Sequence, residues 1–212
     1  MNVLMKLSEP MKVCKLCFKD FDDYSLLQLV NKNICVCKKC YEGIRAKYIS
    51  FEVLGYKALS IYEYDEKIQA ILYQFKACFD IELRKLFLDR YMRELRLLYF
   101  GYTVVPIPSY PKDDEIREFN HVEEMFKELK LPVLKLLTKT KRIKQATSVS
   151  YNRKKMKRYL SLVVTPNLSG KKILLVDDVY TTGSTMKSAI ELIKTLNPKK
   201  IKVLVMSKTK LR

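Results

Sequence analysis

Two adjacent carboxylates, Asp177 and Asp178, stand between an apolar run, Ile173-Leu-Leu-Val176, and a stretch of hydroxyls around one glycine, Thr181-Thr182-Gly183-Ser184-Thr185. The apolar run reads as a buried strand with both acids at its C-terminal end, and the hydroxyls open a helix over about 185–196. Ligands of open α/β sheets bind at the carboxyl ends of the strands. The free N–H groups of a helix N-terminus cradle phosphate. Gly183 lets the backbone turn tightly there, and Thr181, Thr182, Ser184 and Thr185 add hydroxyl donors. Paired carboxylates suit vicinal sugar hydroxyls and the loop suits a phosphate, so the segment describes a site for a phosphorylated ribose. The rival reading is the Mg²⁺-holding strand of a P-loop nucleotide hydrolase, which needs a Gly-x-x-x-x-Gly-Lys-Ser/Thr loop elsewhere. The chain's five glycines, Gly43, Gly55, Gly101, Gly170 and Gly183, are not so spaced, nor do they form Gly-x-Gly-x-x-Gly.

A second chemistry lies near the N-terminus. Cys14-Lys-Leu-Cys17 and Cys37-Lys-Lys-Cys40 are two Cys-x-x-Cys knuckles with the spacing of a tetrahedral zinc site, each turn presenting two thiolates to one ion. A segment this short and polar cannot build a core, so structural Zn²⁺ would supply its folding free energy. Cys35 is a spare ligand able to replace Cys37 or Cys40, which are preferred on spacing. Cys78, alone in an apolar helical stretch, reads as a small core residue. Without a signal-like N-terminus the chain is expected in a reducing cytoplasm, where cysteines ligate metal or stay reduced.

Charge supplies the third feature. The formal net charge is +18 over 212 residues. Residues 129–176 contain thirteen Lys or Arg and no acid, among them Lys139, Lys141, Arg142, Lys144, Arg153, Lys154, Lys155, Lys157 and Arg158. A like-charge block repels itself unless it meets a polyanion, which makes these residues candidate nucleic-acid contacts. Tyr110, Tyr151 and Tyr159 lie near them and could stack bases. No apolar run is long enough to span a membrane, and 48% hydrophobic with 30% charged residues suits a globular protein.

These residues must be positioned by alternating elements. Strands are expected over 58–64, 102–107, 133–137, 160–164, 173–176 and 201–206. Helices are expected over 65–78 behind an Asp65 cap, 81–99, 115–130 behind Asp113 or Asp114, and 152–158. Alternation of this kind predicts an α/β domain with a mostly parallel sheet flanked by helices. Residues 1–48 are expected as the zinc-binding module and 49–212 as the main domain.

The Asp-Asp loop resembles the signature with which type I phosphoribosyltransferases bind phosphoribosyl pyrophosphate (PRPP). The resemblance implies that Asp177 and Asp178 hold the ribose hydroxyls. It also implies that Val179, Tyr180, Thr181, Thr182, Gly183, Ser184 and Thr185 wrap the 5′-phosphate. Further landmarks resemble the ComF family of competence proteins, in which a Cys₄ zinc module precedes such a domain. They are Phe75-Lys76 with Asp80, Pro106-Ile-Pro108, Arg117-Glu118-Phe119-Asn120-His121, Gln145 and Asn152-Arg153. Glu118 stands where the family has Gly, and His121 where it has Gln. The resemblance implies PRPP as ligand with Mg²⁺ held chiefly by its own oxygens and water. Arg117 is then the first cation expected over the pyrophosphate, with Lys112, Arg142 and Lys144 behind it. His121, on a predicted helix away from the apolar face, is not expected to be catalytic. The function implied is PRPP binding and a role in the uptake and handling of single-stranded DNA during natural transformation, with phosphoribosyl transfer as an added activity the resemblance allows. A salvage phosphoribosyltransferase acting on a base or amine is the alternative. A non-catalytic zinc adaptor for a DNA helicase or translocase is the third reading.

Overall fold

The computed structural model describes residues 12–21, 36–77, 83–139 and 160–210. The chain divides into two compact units, Met1–Arg45 and Ala46–Arg212. In the small unit, β1 (Lys12–Val13) pairs antiparallel with β2 (Asp20–Phe21), and α1 (Lys38–Glu42) follows Cys37. Between β1 and β2 the chain reverses through Phe18 at φ 57°, whose N–H donates to the Cys14 carbonyl at 2.8 Å.

The large unit is built on a five-stranded sheet in the order β3-β4-β9-β8-β5. Its strands are β3 (Ile49–Val53), β4 (Tyr56–Glu63), β5 (Tyr102–Pro106), β8 (Lys172–Tyr180) and β9 (Lys200–Lys208). Only the β3–β4 hairpin is antiparallel, and β4, β9, β8 and β5 run parallel. A separate antiparallel pair joins β6 (Leu137–Lys139) to β7 (Leu160–Leu162). The hairpin turns at Leu54-Gly55, both at positive φ. β8 sits between two parallel neighbours with Ile173, Leu174, Leu175 and Val176 all fully buried, as a strand covered on both faces requires. On one face α7 (Ser184–Lys194) lays Met186, Ala189, Ile190 and Ile193 against Ile173, Leu175, Val203 and Val205.

The helices before the site are α2 (Glu66–Ala77), α3 (Arg84–Leu88), α4 (Met92–Leu98), α5 (Pro111–Arg117) and α6 (His121–Phe126). Asp65 caps α2 as expected, its Oδ1 accepting the Ile68 N–H at 2.9 Å. Phe75 of α2 meets Phe87 and Phe119 edge-on or tilted at 5.4 and 5.6 Å.

Several expected elements differ from the structure, each for a local reason. The helix expected over 115–130 is two helices. α5 starts earlier, with Pro111 preset for the first turn. It stops at Glu118, which takes φ 64°, and Asn120 then caps α6 by accepting the Glu123 N–H at 3.0 Å. The 81–99 helix is broken at a 3₁₀ turn, Asp89–Tyr91. The 133–137 strand reduces to a bridge from Val133 to Val104, with β6 beginning only at Leu137. β3 was not anticipated, because Ile49-Ser-Phe-Glu-Val53 is short and abuts basic residues. The expected 152–158 helix lies outside the described residues.

Candidate functional site

The site forms at the carboxyl end of β8. The strand does not stop before the acids, as the sequence suggested. It runs through them to Tyr180, because Val179 and Tyr180 keep pairing with Ser207 and Lys208 of β9. Strand alternation then sends the two neighbouring carboxylates to different environments.

Asp178 is buried and its oxygens are already taken. Oδ1 accepts the Val179 N–H at 2.6 Å. Oδ2 pairs with the Lys76 ammonium of α2 and lies 3.2 Å from His121 Nε2. His121 Nδ1 lies 3.2 Å from Ser109 Oγ, Asn120 Nδ2 donates to Ser109 Oγ at 3.3 Å, and Nδ2 also donates to Asp114 Oδ2 at 2.8 Å. These contacts form a chain in which Asn120 donates to Ser109, Ser109 meets His121 Nδ1, and His121 Nε2 is placed to donate to Asp178. The expectation that His121 faces away from the apolar side is therefore corrected. The break at Glu118 restarts the helix and turns His121 inward, leaving it only 7% exposed.

Asp177 is half-buried, and its Oδ1 accepts the Asp178 N–H at 2.9 Å. No other hydrogen bond to its carboxylate occurs among the described residues. Burial pushes its carboxyl up from 3.8 to about 6, with Lys139 and Lys76 pulling the other way. Lys139 thus acts electrostatically on Asp177, whatever polyanion the sequence assigned to it.

The loop after Tyr180 is Thr181-Thr182-Gly183. Gly183 adopts φ 73°, and a Cβ there would overlap the Tyr180 hydroxyl and ring. Tyr180 in turn packs on Phe51 with ring centroids 4.8 Å apart. Thr182 Oγ1 donates to Ser184 Oγ at 3.2 Å. The first helical bond of α7 runs from the Lys187 N–H to the Gly183 carbonyl at 2.8 Å. The amides of Thr185 and Met186 in the first turn consequently have no intrahelical acceptor and can receive an anion.

The second candidate site lies in the small unit. The Sγ atoms of Cys14, Cys17, Cys37 and Cys40 lie within 4.8 Å of one another, and Cys17 Sγ is 3.9 Å from Cys37 Sγ. Four thiolates at about 2.3 Å from one tetrahedral ion stand roughly 3.8 Å apart, so the donor set fits a metal such as zinc. The Cys37 N–H donates to Cys14 Sγ at 3.2 Å. Burial raises the Cys14 thiol, but the Cys37, Cys17 and Leu16 amides outweigh it and bring the pKa down to about 7. Burial and the three neighbouring thiols push Cys40 up. Four thiols this close cannot all ionise without a cation between them.

Of the other residues singled out in the sequence, Lys112 is exposed on α5. The side chain of Arg117 is outside the described residues, as are Cys35, Cys78, Asp80, Lys141, Arg142, Lys144, Gln145 and residues 151–159. Sequence reasoning missed the roles of Lys76 and His121. Lys76 had a signal, in the Phe75-Lys76 landmark, but no role had been attached to it.

A family model for the phosphoribosyl transferase domain matches residues 121–210. Competence protein ComFC of Streptococcus pneumoniae (strain ATCC BAA-255 / R6) is 30% identical over 200 residues, covering 84% of this chain and 90% of that protein. Solved structures give weaker likenesses. A hypoxanthine phosphoribosyltransferase from Staphylococcus aureus is 13% identical with a TM-score of 0.38, over 60% of this chain and 64% of that one. A purine phosphoribosyltransferase from Pyrococcus horikoshii Ot3 is 19% identical with a TM-score of 0.38, over 61% and 77%. The domain match, together with the mostly parallel sheet flanked by helices, gives the large unit the type I phosphoribosyltransferase fold.

Two outcomes follow from the site geometry. The folded chain binds a proton at Asp177 more tightly than the unfolded chain does. Its contribution to stability is therefore complete below pH 3.8 and is lost as pH rises through about 6. In urea melts, Asp177→Asn is expected to be more stable than wild type at pH 7–8, by on the order of 2 kcal/mol, with the gap closing towards pH 4. Parallel stability curves would remove the buried-carboxyl argument. Gly183→Ala is expected to lose about 1–2 kcal/mol in the same assay, and unchanged stability would mean that the loop repacks freely around Tyr180.

Proposed function

The chain belongs to the ComFC family of competence proteins, and from that premise we propose that it binds PRPP at the end of β8 and assists the handling of single-stranded DNA during natural transformation. The observation that carries the reading is the acid pair at the end of β8 followed directly by the Gly183 turn and the first turn of α7. In this reading Asp177, with one oxygen free of protein hydrogen bonds among the described residues, accepts a ribose hydroxyl. Asp178 fixes the strand end through Lys76 and His121. The amides of Thr185 and Met186 and the hydroxyls of Thr181, Thr182 and Ser184 take the 5′-phosphate. Asp177 also offers a hard oxygen donor that would fit a Mg²⁺ arriving with the pyrophosphate, and such an ion would supply positive charge beside that group. Lys76 and Lys139 are the cations that act on Asp177. Zn²⁺ in the Cys14/Cys17/Cys37/Cys40 site holds the small unit folded.

The phosphoribosyl transferase match over 121–210 favours a second reading, transfer of phosphoribose to a base or amine in nucleotide salvage. Breaking the bond from the anomeric carbon to pyrophosphate needs no protein nucleophile, only positioning and charge stabilisation. Pyrophosphate release across a panel of nucleobases tests the second reading, and silence across the panel would count against it.

Calorimetric titration of the zinc-replete protein with PRPP and Mg²⁺ tests the site. Saturable binding is expected for wild type, with at least a tenfold loss in Asp177→Asn/Asp178→Asn. Absence of binding in wild type would overturn the proposal. For the metal, one equivalent of zinc is expected on extraction, and chelation or Cys17→Ser should abolish the small unit's protection from proteolysis while the large unit stays folded. A metal-free protein of unchanged protection would show that the thiols need no ion.

A further inference from the structure

The parallel strands finish at the phosphoribosyl site, and the opposite rim of the same sheet carries charge that this site does not use. Lys172 of β8 stands opposite Lys200 of β9 and Tyr102 of β5. Leu174 stands opposite Lys202, and the pairing of Ala58 with Val203 sets Lys57 beside Lys202. Paired residues of parallel strands share a face and alternate along it. Lys57, Lys172, Lys200 and Lys202 therefore occupy one face of the N-terminal rim, roughly 5 Å apart across the sheet and 7 Å along it.

Two of the four are held by aromatic rings rather than neutralised. Lys202 Nζ lies 5.4 Å from the Tyr99 ring centroid and 5.3 Å from that of Tyr102, and Lys172 Nζ lies 5.8 Å from Tyr102. Both rings are buried. Ring faces attract cations without cancelling their charge. Among the described residues no carboxylate forms an ion pair with any of the four lysines. Glu52, opposite Lys57 in the hairpin, is no exception. Burial, then Lys200, Lys57 and Lys172, lower the Lys202 ammonium from its ordinary value, and no acid opposes them.

An exposed ring adjoins these charges. The Tyr102 N–H donates to the Tyr99 carbonyl at 3.0 Å, closing a turn whose tip is Phe100-Gly101. Phe100 is 81% exposed. Unpaired cations beside an exposed aromatic face suit a strand whose phosphates and base faces are both accessible, and a duplex keeps its base faces stacked. Lys172 and Asp178 lie six residues apart on β8, so this rim is roughly 20 Å from the acid pair.

We infer that the N-terminal rim of the sheet docks single-stranded DNA, with Lys57, Lys172, Lys200 and Lys202 on the backbone phosphates and Phe100 stacked on a base. The inference rests on the DNA-handling reading and places its contact at the sheet end away from the PRPP loop.

Fluorescence anisotropy with a labelled thirty-nucleotide oligothymidylate, run from 20 to 300 mM salt (about the range over which phosphate contacts are screened), tests it on the full-length, zinc-replete protein. Lys57→Gln/Lys172→Gln/Lys200→Gln/Lys202→Gln is expected to bind at least about tenfold more weakly. The slope of log affinity against log salt should flatten by about 2–3. Phe100→Ala is expected to lose about fivefold with its slope unchanged. Both variants should keep wild-type PRPP affinity by calorimetry, which also verifies that they fold. Wild-type affinity and slope in the quadruple variant would overturn the placement while leaving the DNA reading intact. Failure of the wild type to bind the oligonucleotide would overturn both.

Discussion

The large unit's architecture turns on one buried charge. Asp178 lies near the C-terminal end of β8 inside the protein, where an unpaired carboxylate would cost several kcal/mol. Its compensation comes from four separate stretches of chain. Lys76 arrives from the end of α2, Ser109 from the loop after β5, His121 from the first turn of α6, and the Val179 amide from β8 itself. Each of those stretches must be in register for the charge to be tolerated. The acid therefore ties the sheet to the helices on that face, as the apolar contacts of Ile190 and Ile193 tie it to α7 on the other. Lys76 is partly exposed, so the pair contributes more to geometry than to net stability.

This arrangement divides labour between two residues that look identical in sequence. Asp178 is saturated by protein donors and anchors the end of β8 to the helices. Asp177 keeps an oxygen unclaimed among the described residues, and burial raises its pKa to about 6, so a cation or donor arriving there stabilises its charged form. A ligand bringing hydroxyl donors and a divalent ion supplies that environment with what it lacks. The Gly183 turn is set by a similar constraint of space. With the Tyr180 ring lying directly beneath position 183 and φ positive there, glycine is the one residue that fits without displacing the ring.

Much of this was legible in the residues because it depended on local rules. The strand, acid pair and glycine turn follow from composition and spacing within fourteen residues. The cysteine knuckles follow from Cys-x-x-Cys spacing alone, and the structure gathers those four sulfurs together. The misreadings share a different cause. His121 was placed on the wrong side because a continuous helix over 115–130 gave it a solvent-facing phase. Glu118 in the left-handed region resets that phase, and nothing in a non-glycine residue announces it. β3 was missed because a five-residue edge strand is defined by its partner β4 rather than by its own pattern. The role of Lys76 depends on a contact across about a hundred residues of sequence, which no local pattern can encode.

The same parallel topology explains why the two ends of the sheet differ in chemistry. At the carboxyl ends of the strands, chain reversals leave amides and carboxylates converging on one point, which suits a small ligand gripped from several sides. At the amino ends, register alone decides what lies beside what. The lysine row there exists because Lys172 and Lys200 begin their strands at the same level. Such a row presents charges spread across neighbouring strands, which suits an extended polyanion better than a compact one. On the proposed reading, a phosphorylated sugar and a long phosphodiester strand would occupy opposite ends of one sheet, without competing for the same cations.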